Sequence, residues 1–131
     1  MNDPAKECPF CCTDIRTRIL AENSLCYLIE DKYPVTDGHS LVIPRRHVVD
    51  YFGMTPAEQV AANALLLQRK EELEQSDSSI DGFNIGMNSG SAAGQTIFHS
   101  HIHLIPRRSG DSEDPTGGVR FVIPEKANYK T

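Results

Sequence analysis

Three histidines share one short run, His99-Ser100-His101-Ile102-His103. Side chains alternate along an extended strand, so the run predicts three imidazoles on one face, with Phe98, Ile102 and Leu104 turned towards the core. Burying three imidazoles together has no packing rationale. The pattern therefore points to a metal site or to acid–base and nucleophilic histidine chemistry. Same-face neighbours on a strand lie roughly 7 Å apart, so three from one strand converge poorly on a single ion. Just upstream, residues 88–96 (NSGSAAGQT) are small enough for backbone N–H groups to approach an anion. Asn88, Gln95 and Thr96 add side-chain donors, and Gly94 adds a bare backbone. Such a loop alone is usually a connection, but beside three histidines it reads as a phosphate cradle. Cys8-Pro9-Phe10-Cys11 supplies two thiols at a spacing open to half a metal site or to a redox pair. Cys12 and Cys26 read as bystanders.

Groups like these need rigid elements to hold them. Residues 41–44, 103–106 and 121–124 (LVIP, HLIP, FVIP) end alike. Proline cannot donate to a sheet ladder, so each reads as a strand stopped by its proline. Residues 15–20, 25–30 and 83–88 add further strands, the first two joined as a hairpin at Asn23-Ser24. Thr55-Pro56-Ala57-Glu58 is a capping-box start, and helix formers continue to about Gln75. At helical spacing Ala57, Val60, Ala61, Ala64, Leu65 and Leu67 form the face expected on the sheet. Leu66 and Leu73 fall on the opposite side and suggest a contact between chains. Strands, one long helix, then more strands predict an α+β fold with an antiparallel sheet of about five strands.

The 131 residues predict one domain, 1–131, with a mobile acidic loop at 109–118 and a C-terminal tail at 119–131. Hydrophobic residues make up 39% and charged residues 24%, which argues against disorder. Thirteen basic against eighteen acidic side chains give a net charge of −5, a poor footprint for nucleic acid. No apolar run is long enough for a membrane span. The first residues lack the apolar stretch of a secretory signal, and three of the four cysteines fall within five positions. Both features predict a cytoplasmic protein.

Residues 94–107 (GQTIFHSHIHLIPR) resemble the signature of the histidine-triad (HIT) superfamily of nucleotide hydrolases and transferases: His, apolar, His, apolar, His, then two apolar residues. Residues 38–47 (GHSLVIPRRH) resemble the family's upstream strand, and the likeness extends from Cys8 to Arg107. Ser100 departs from the pattern, where an apolar residue is usual, and the tail lacks the Trp-containing ending of the best-known phosphoramidase branch. The resemblance implies a HIT-like fold whose sheet extends across a homodimer. It implies that His101 is the nucleophile, forming a nucleotidyl-histidine intermediate, that His103 binds phosphate and assists the leaving group, and that His39 buttresses the triad. Asp31 would bind ribose hydroxyls, and Asn88, Gly94, Gln95 and Thr96 the phosphates. Cys8, Cys11, His47 and His99 would hold a structural zinc, and no Mg²⁺ is required. The expected activity is cleavage of a nucleoside 5′-phosphate, AMP, from a dinucleoside polyphosphate or related conjugate. The alternatives are an adenosine 5′-phosphoramidase and a zinc-stabilised nucleotide-binding module with vestigial catalysis.

Overall fold

The structure, a computed structural model, describes residues 7–129. Residues 1–6, which carry the expectation of no secretory signal, lie outside the described residues, as do the last two of the tail. Five strands form one antiparallel sheet: β1 (Ile19–Glu22), β2 (Cys26–Glu30), β3 (Ser40–Pro44), β4 (Ile80–Gly86) and β5 (Ile102–Arg108), in the order β1-β2-β3-β5-β4. The β1–β2 hairpin closes at Asn23, whose side chain accepts from the Cys26 N–H at 2.9 Å. Residues 13–18 form a 3₁₀ turn, so the first strand starts at Ile19, later than the apolar pattern suggested.

Helix α1 (Pro56–Ser76) begins with the expected capping box. Its buried stripe is Glu58, Ala62, Leu65 and Leu73, whereas Val60 is 72% and Leu67 55% exposed. The predicted face was therefore rotated. Apolar residues occupy most of the helix circumference, so periodicity alone does not choose between two candidate stripes. Tertiary pairing chooses. Buried Glu58 receives Arg46 Nη2 at 2.8 Å and Arg46 Nε at 3.2 Å, which turns that side of the helix to the sheet. Leu73 packs within its own chain beside Gly38, and Leu66 lies half-buried on the core, so neither forms the outward stripe expected of them.

The central strands are buried on both faces. Cys26, Leu28, Val42 and Ile102 meet Ala62 and Leu65 on the helix side. Tyr27, Ile29, Leu41 and Ile43 meet Cys8, Phe10 and Ile15 on the other. The prolines mark strand ends less strictly than expected. Pro44 closes β3, but Pro106 sits inside β5. The ladder to β3 ends with Ser40 opposite Leu104, so beyond it a missing N–H breaks no sheet bond. The Pro106 carbonyl on that side accepts from Thr36 Oγ1 at 2.7 Å instead. Residues 121–124 are not a strand. N–H groups here turn back to carbonyls three residues earlier, Ile123 to Arg120 and Lys126 to Ile123, so Gly118–Val122 and Pro124–Lys126 form 3₁₀ turns.

Candidate active site and metal centre

Strand β5 carries His103 on the sheet face away from α1, since Ile102 and Leu104 point into the core and the pleat alternates. His99 and His101 precede the strand rather than lying in it. A Ser100 N–H bond to the Val48 carbonyl, 2.7 Å, shapes this approach. Ser100 Oγ turns away from the imidazoles to Met54 Sδ at 3.2 Å. Phe98, expected in the core, is 47% exposed, because strand alternation does not extend back to it.

Each imidazole has a different anchor, and the anchors assign the ring protons. His101 Nδ1 lies 2.7 Å from the His99 carbonyl oxygen. A carbonyl only accepts, so Nδ1 carries the proton and Nε2 presents a lone pair. His99 Nε2 lies 2.7 Å from the Pro44 carbonyl, which leaves Nδ1 as its lone-pair atom. His39 Nδ1 accepts the Val35 N–H at 3.1 Å, so its Nε2 is protonated and faces His103 Nδ1 at 2.9 Å. His103 Nδ1 must then accept, and its Nε2–H is the donor left for a ligand. Asp31 Oδ2 stands 3.4 Å from His39 Nε2 and 3.8 Å from His103 Nδ1, while Oδ1 accepts the Tyr33 N–H at 2.8 Å. Burial pushes His103 down to about 4, helped by neighbouring His101 and His39, so the ring is neutral near pH 7. Burial likewise lowers His39, partly opposed by Asp31.

His99, fully buried, turns its Nδ1 to a second cluster. Cys8 Sγ and Cys11 Sγ each lie 3.4 Å from it, His47 Nδ1 3.2 Å from it, and Cys11 Sγ 3.2 Å from His47 Nδ1. Tetrahedral zinc, roughly 2.0–2.3 Å from nitrogen and sulfur donors, spaces its ligands about 3.3–3.8 Å apart. The donor set therefore fits such an ion, and the Pro44 carbonyl fixes the ligating tautomer of His99. The second triplet, Asp31, His39 and His103, also converges. Its nitrogens, however, are already linked in the hydrogen-bond chain just described. Phe10, between the two cysteines, stands edge-on to both His99 and His101, with ring centroids 5.8 and 5.2 Å away. Its carbonyl accepts from the Tyr27 hydroxyl at 2.5 Å. Neither Phe10 nor the backbone anchors at Val35, Pro44 and His99 were singled out from sequence. Only the place of Phe10 inside the Cys-x-x-Cys spacing hinted at one of them.

The loop before the triad is built differently from a simple cradle. The N–H groups of Ala93 and Gln95 donate to the Gly90 carbonyl, and that of Gly94 to Ser91. Gly94 sits at φ +95°, a conformation side chains disfavour. Gln95 is buried and fully engaged. Its Oε1 accepts the Gly90 N–H at 2.8 Å, and its Nε2 donates to Val49 and Ile97 carbonyls at 2.6 and 3.1 Å. Gln95 thus braces the loop rather than offering donors to an anion. Asn88 lines a cavity beside His103, and Thr96 is exposed.

A five-stranded antiparallel sheet, a long helix behind it and a tautomerically ordered set of imidazoles in front define a small α+β fold with a histidine-rich face. The chain belongs to the HIT domain family, whose pattern matches residues 13–110. Members of that family are nucleotide hydrolases and transferases. An adenylylsulfatase of Arabidopsis thaliana is 40% identical over 92 residues, 70% of this chain and 46% of the relative. An AP-4-A phosphorylase of Mycobacterium tuberculosis is 34% identical over 110 residues, 82% of this chain and 55% of the relative. The chain thus spans about half the length of these relatives. A zinc-bound histidine-triad family protein from Mycobacterium smegmatis superimposes with a TM-score of 0.72 at 36% identity, covering 84% of this chain and 81% of that one. Among the described residues, no helix is long and apolar enough to cross a membrane.

Proposed function

We propose that this protein cleaves nucleoside 5′-phosphate conjugates through a nucleotidyl-histidine intermediate on His101. The carrying observation is the hydrogen bond from His101 Nδ1 to the His99 carbonyl, which leaves the Nε2 lone pair available. Nε2 would form a bond to the α-phosphorus as the bond to the leaving group breaks. In a dinucleoside polyphosphate the leaving group departs as a phosphate anion, and in a phosphoramidate the amine takes a proton from water. Water then attacks phosphorus, the N–P bond breaks, and its surplus proton goes to solvent with release of AMP. His103, neutral, would donate its Nε2–H to a phosphate oxygen, and His39 would hold it in that tautomer. Asp31 would receive ribose hydroxyls. Asn88 and Thr96 would donate to phosphate, with Gly94 and Gln95 holding the loop's shape.

The Cys8, Cys11, His47 and His99 set would bind structural zinc, a reading supported by its donor spacing and by the zinc-bound relative. With four protein ligands no position is left for substrate, and the scheme needs no Mg²⁺. In a homodimer, the exposed apolar stripe of Val60 and Leu67 would supply contact area for a second copy. A monomer by light scattering at micromolar concentration would refute that.

The test is AMP release from diadenosine tetraphosphate and adenosine 5′-phosphoramidate, with wild type beside His101→Ala, in the absence of added Mg²⁺. Release by wild type and not by the variant supports the scheme. Equal release by both would end it, and tight nucleotide binding without release would favour the binding module.

A further inference from the structure

A cavity of about 610 Å³ opens directly beside His103 and His39 and runs along the face of β5 past Ile105 to Arg107. In the scheme above His103 holds the reacting phosphate, and this cavity lies on its side of His101, whereas Phe10 closes the opposite flank. The cavity's far wall is built by Val119, Phe121 and Val122. These residues follow position 110, where the family match ends.

Two physical features set what the cavity can hold. First, its walls gather large apolar side chains that the fold leaves open: Val119, Phe121 and Val122 are 64%, 47% and 78% exposed, and Ile85 on β4 is 54% exposed. The tail is held in place by other groups. Arg120 donates to the carbonyls of Lys126 and Ala127, and Asn128 donates to Asp114. Second, among the described lining residues Arg107 carries the one guanidinium or ammonium, and four of its five N–H donors already have partners. Its Nε and Nη2 grip both Asp111 oxygens at 2.8 Å, Nη1 donates to Asn84 at 2.7 Å, and Nη2 also reaches Ser112 at 3.1 Å. The Arg107–Asp111 pair is neutral overall. A run of extra phosphates would find no uncommitted cation there, while an uncharged apolar group would exchange water for carbon on several sides.

We infer that this cavity is the leaving-group subsite, and that it takes an uncharged apolar or aromatic group joined to the nucleotide's phosphate in preference to a second polyphosphate-linked nucleotide. The inference rests on the nucleotidyl-histidine reading. It makes the C-terminal tail, and Phe121 in particular, the determinant of substrate choice.

The test compares kcat/KM of the full, metal-loaded protein on three compounds: adenosine 5′-phosphoramidate, its N-benzyl derivative and diadenosine tetraphosphate. The N-benzyl compound is expected to exceed the unsubstituted one by about tenfold or more, the scale of burying one ring, and to exceed diadenosine tetraphosphate. Phe121→Ser and Val119→Ser, both at exposed positions, are expected to remove most of that advantage, lowering kcat/KM on the N-benzyl compound far more than on the unsubstituted one. Equal rates for the first two compounds, or a preference for the tetraphosphate, would overturn the assignment. So would variants that slow all three alike, which would place the nucleoside itself in the cavity. If wild type releases no AMP from any compound, the catalytic reading fails. Dissociation constants of the first two compounds then judge the cavity alone, and equal values would overturn it too.

Discussion

His39 has no hydrogen bond to the nucleophile and is almost wholly buried, yet the tautomer chain makes it decisive. It is 3% exposed, receives the Val35 N–H at 3.1 Å and faces His103 Nδ1 at 2.9 Å. His39→Ala removes one acceptor and one donor at once. The Val35 N–H and His103 Nδ1 are left without those partners, at roughly 1–3 kcal/mol each. The share that bears on catalysis is the loss of a single His103 tautomer. A barrier increase of about 1–3 kcal/mol corresponds to roughly a 5- to 150-fold fall in kcat. KM should move little, because the buried ring offers substrate almost no surface. His39→Gln is the control: its amide can accept from Val35 and donate to His103, so it should recover much of the loss. Saturating AMP-release assays give kcat and KM, and nitrogen chemical shifts of the imidazoles report the His103 tautomer directly. A His39→Ala kcat within about twofold of wild type, or a raised KM with kcat intact, would refute this role for His39.

Other expectations concern stability and the metal. Burial holds His103 near 4, below its ordinary 6.5, so the unfolded chain takes up that proton first on acidification. Stability from this group is complete above about pH 6.5 and is lost as pH falls towards 4. The ceiling is about 3 kcal/mol, lowered in practice by partial exposure of the ring. Urea unfolding between pH 4 and 7 should show a shallower slope for His103→Gln, and an unchanged slope would count against the burial argument. Chelation should release one zinc per chain by elemental analysis and lower Tm by at least about 5 °C, since the four candidate ligands would tie the N-terminal segment to the loops after β3 and before β5. A metal-free protein with the same Tm would dismiss that role. Gly117 lies at φ +98°, and a Cβ there would collide with the Ala127 carbonyl. Gly117→Ala should therefore undock the tail, seen as faster proteolysis within residues 111–129 and a core stability within about 1 kcal/mol of wild type.

Much of the local structure was legible because it depends on neighbours in sequence. The capping box at Thr55 and Glu58 and the Asn23 turn involve residues two or three apart, and both appear as expected. The residues of the Cys8, Cys11, His47 and His99 cluster were named through family resemblance, and the fold brings all four together. The helix face was misread because two apolar stripes compete on α1. Only the long-range Arg46–Glu58 pair selects between them. The triad was misread as one strand because alternation says nothing about where pairing begins. Ser100 bonds to Val48, so the ladder starts at Ile102.

By itself the sequence determined which groups are present for chemistry: three closely spaced histidines, two cysteines at ligand spacing, and a chain too acidic to favour nucleic acid. Tertiary structure decided what each group can do. In the proposed scheme three imidazoles with the same intrinsic chemistry take the parts of metal ligand, lone-pair donor and hydrogen-bond donor, because one faces the Pro44 carbonyl, one the His99 carbonyl and one the Nε2–H of His39. A ring's protonation site follows the partner held against it, and those partners lie on other strands or in the backbone itself, where residue type leaves no trace.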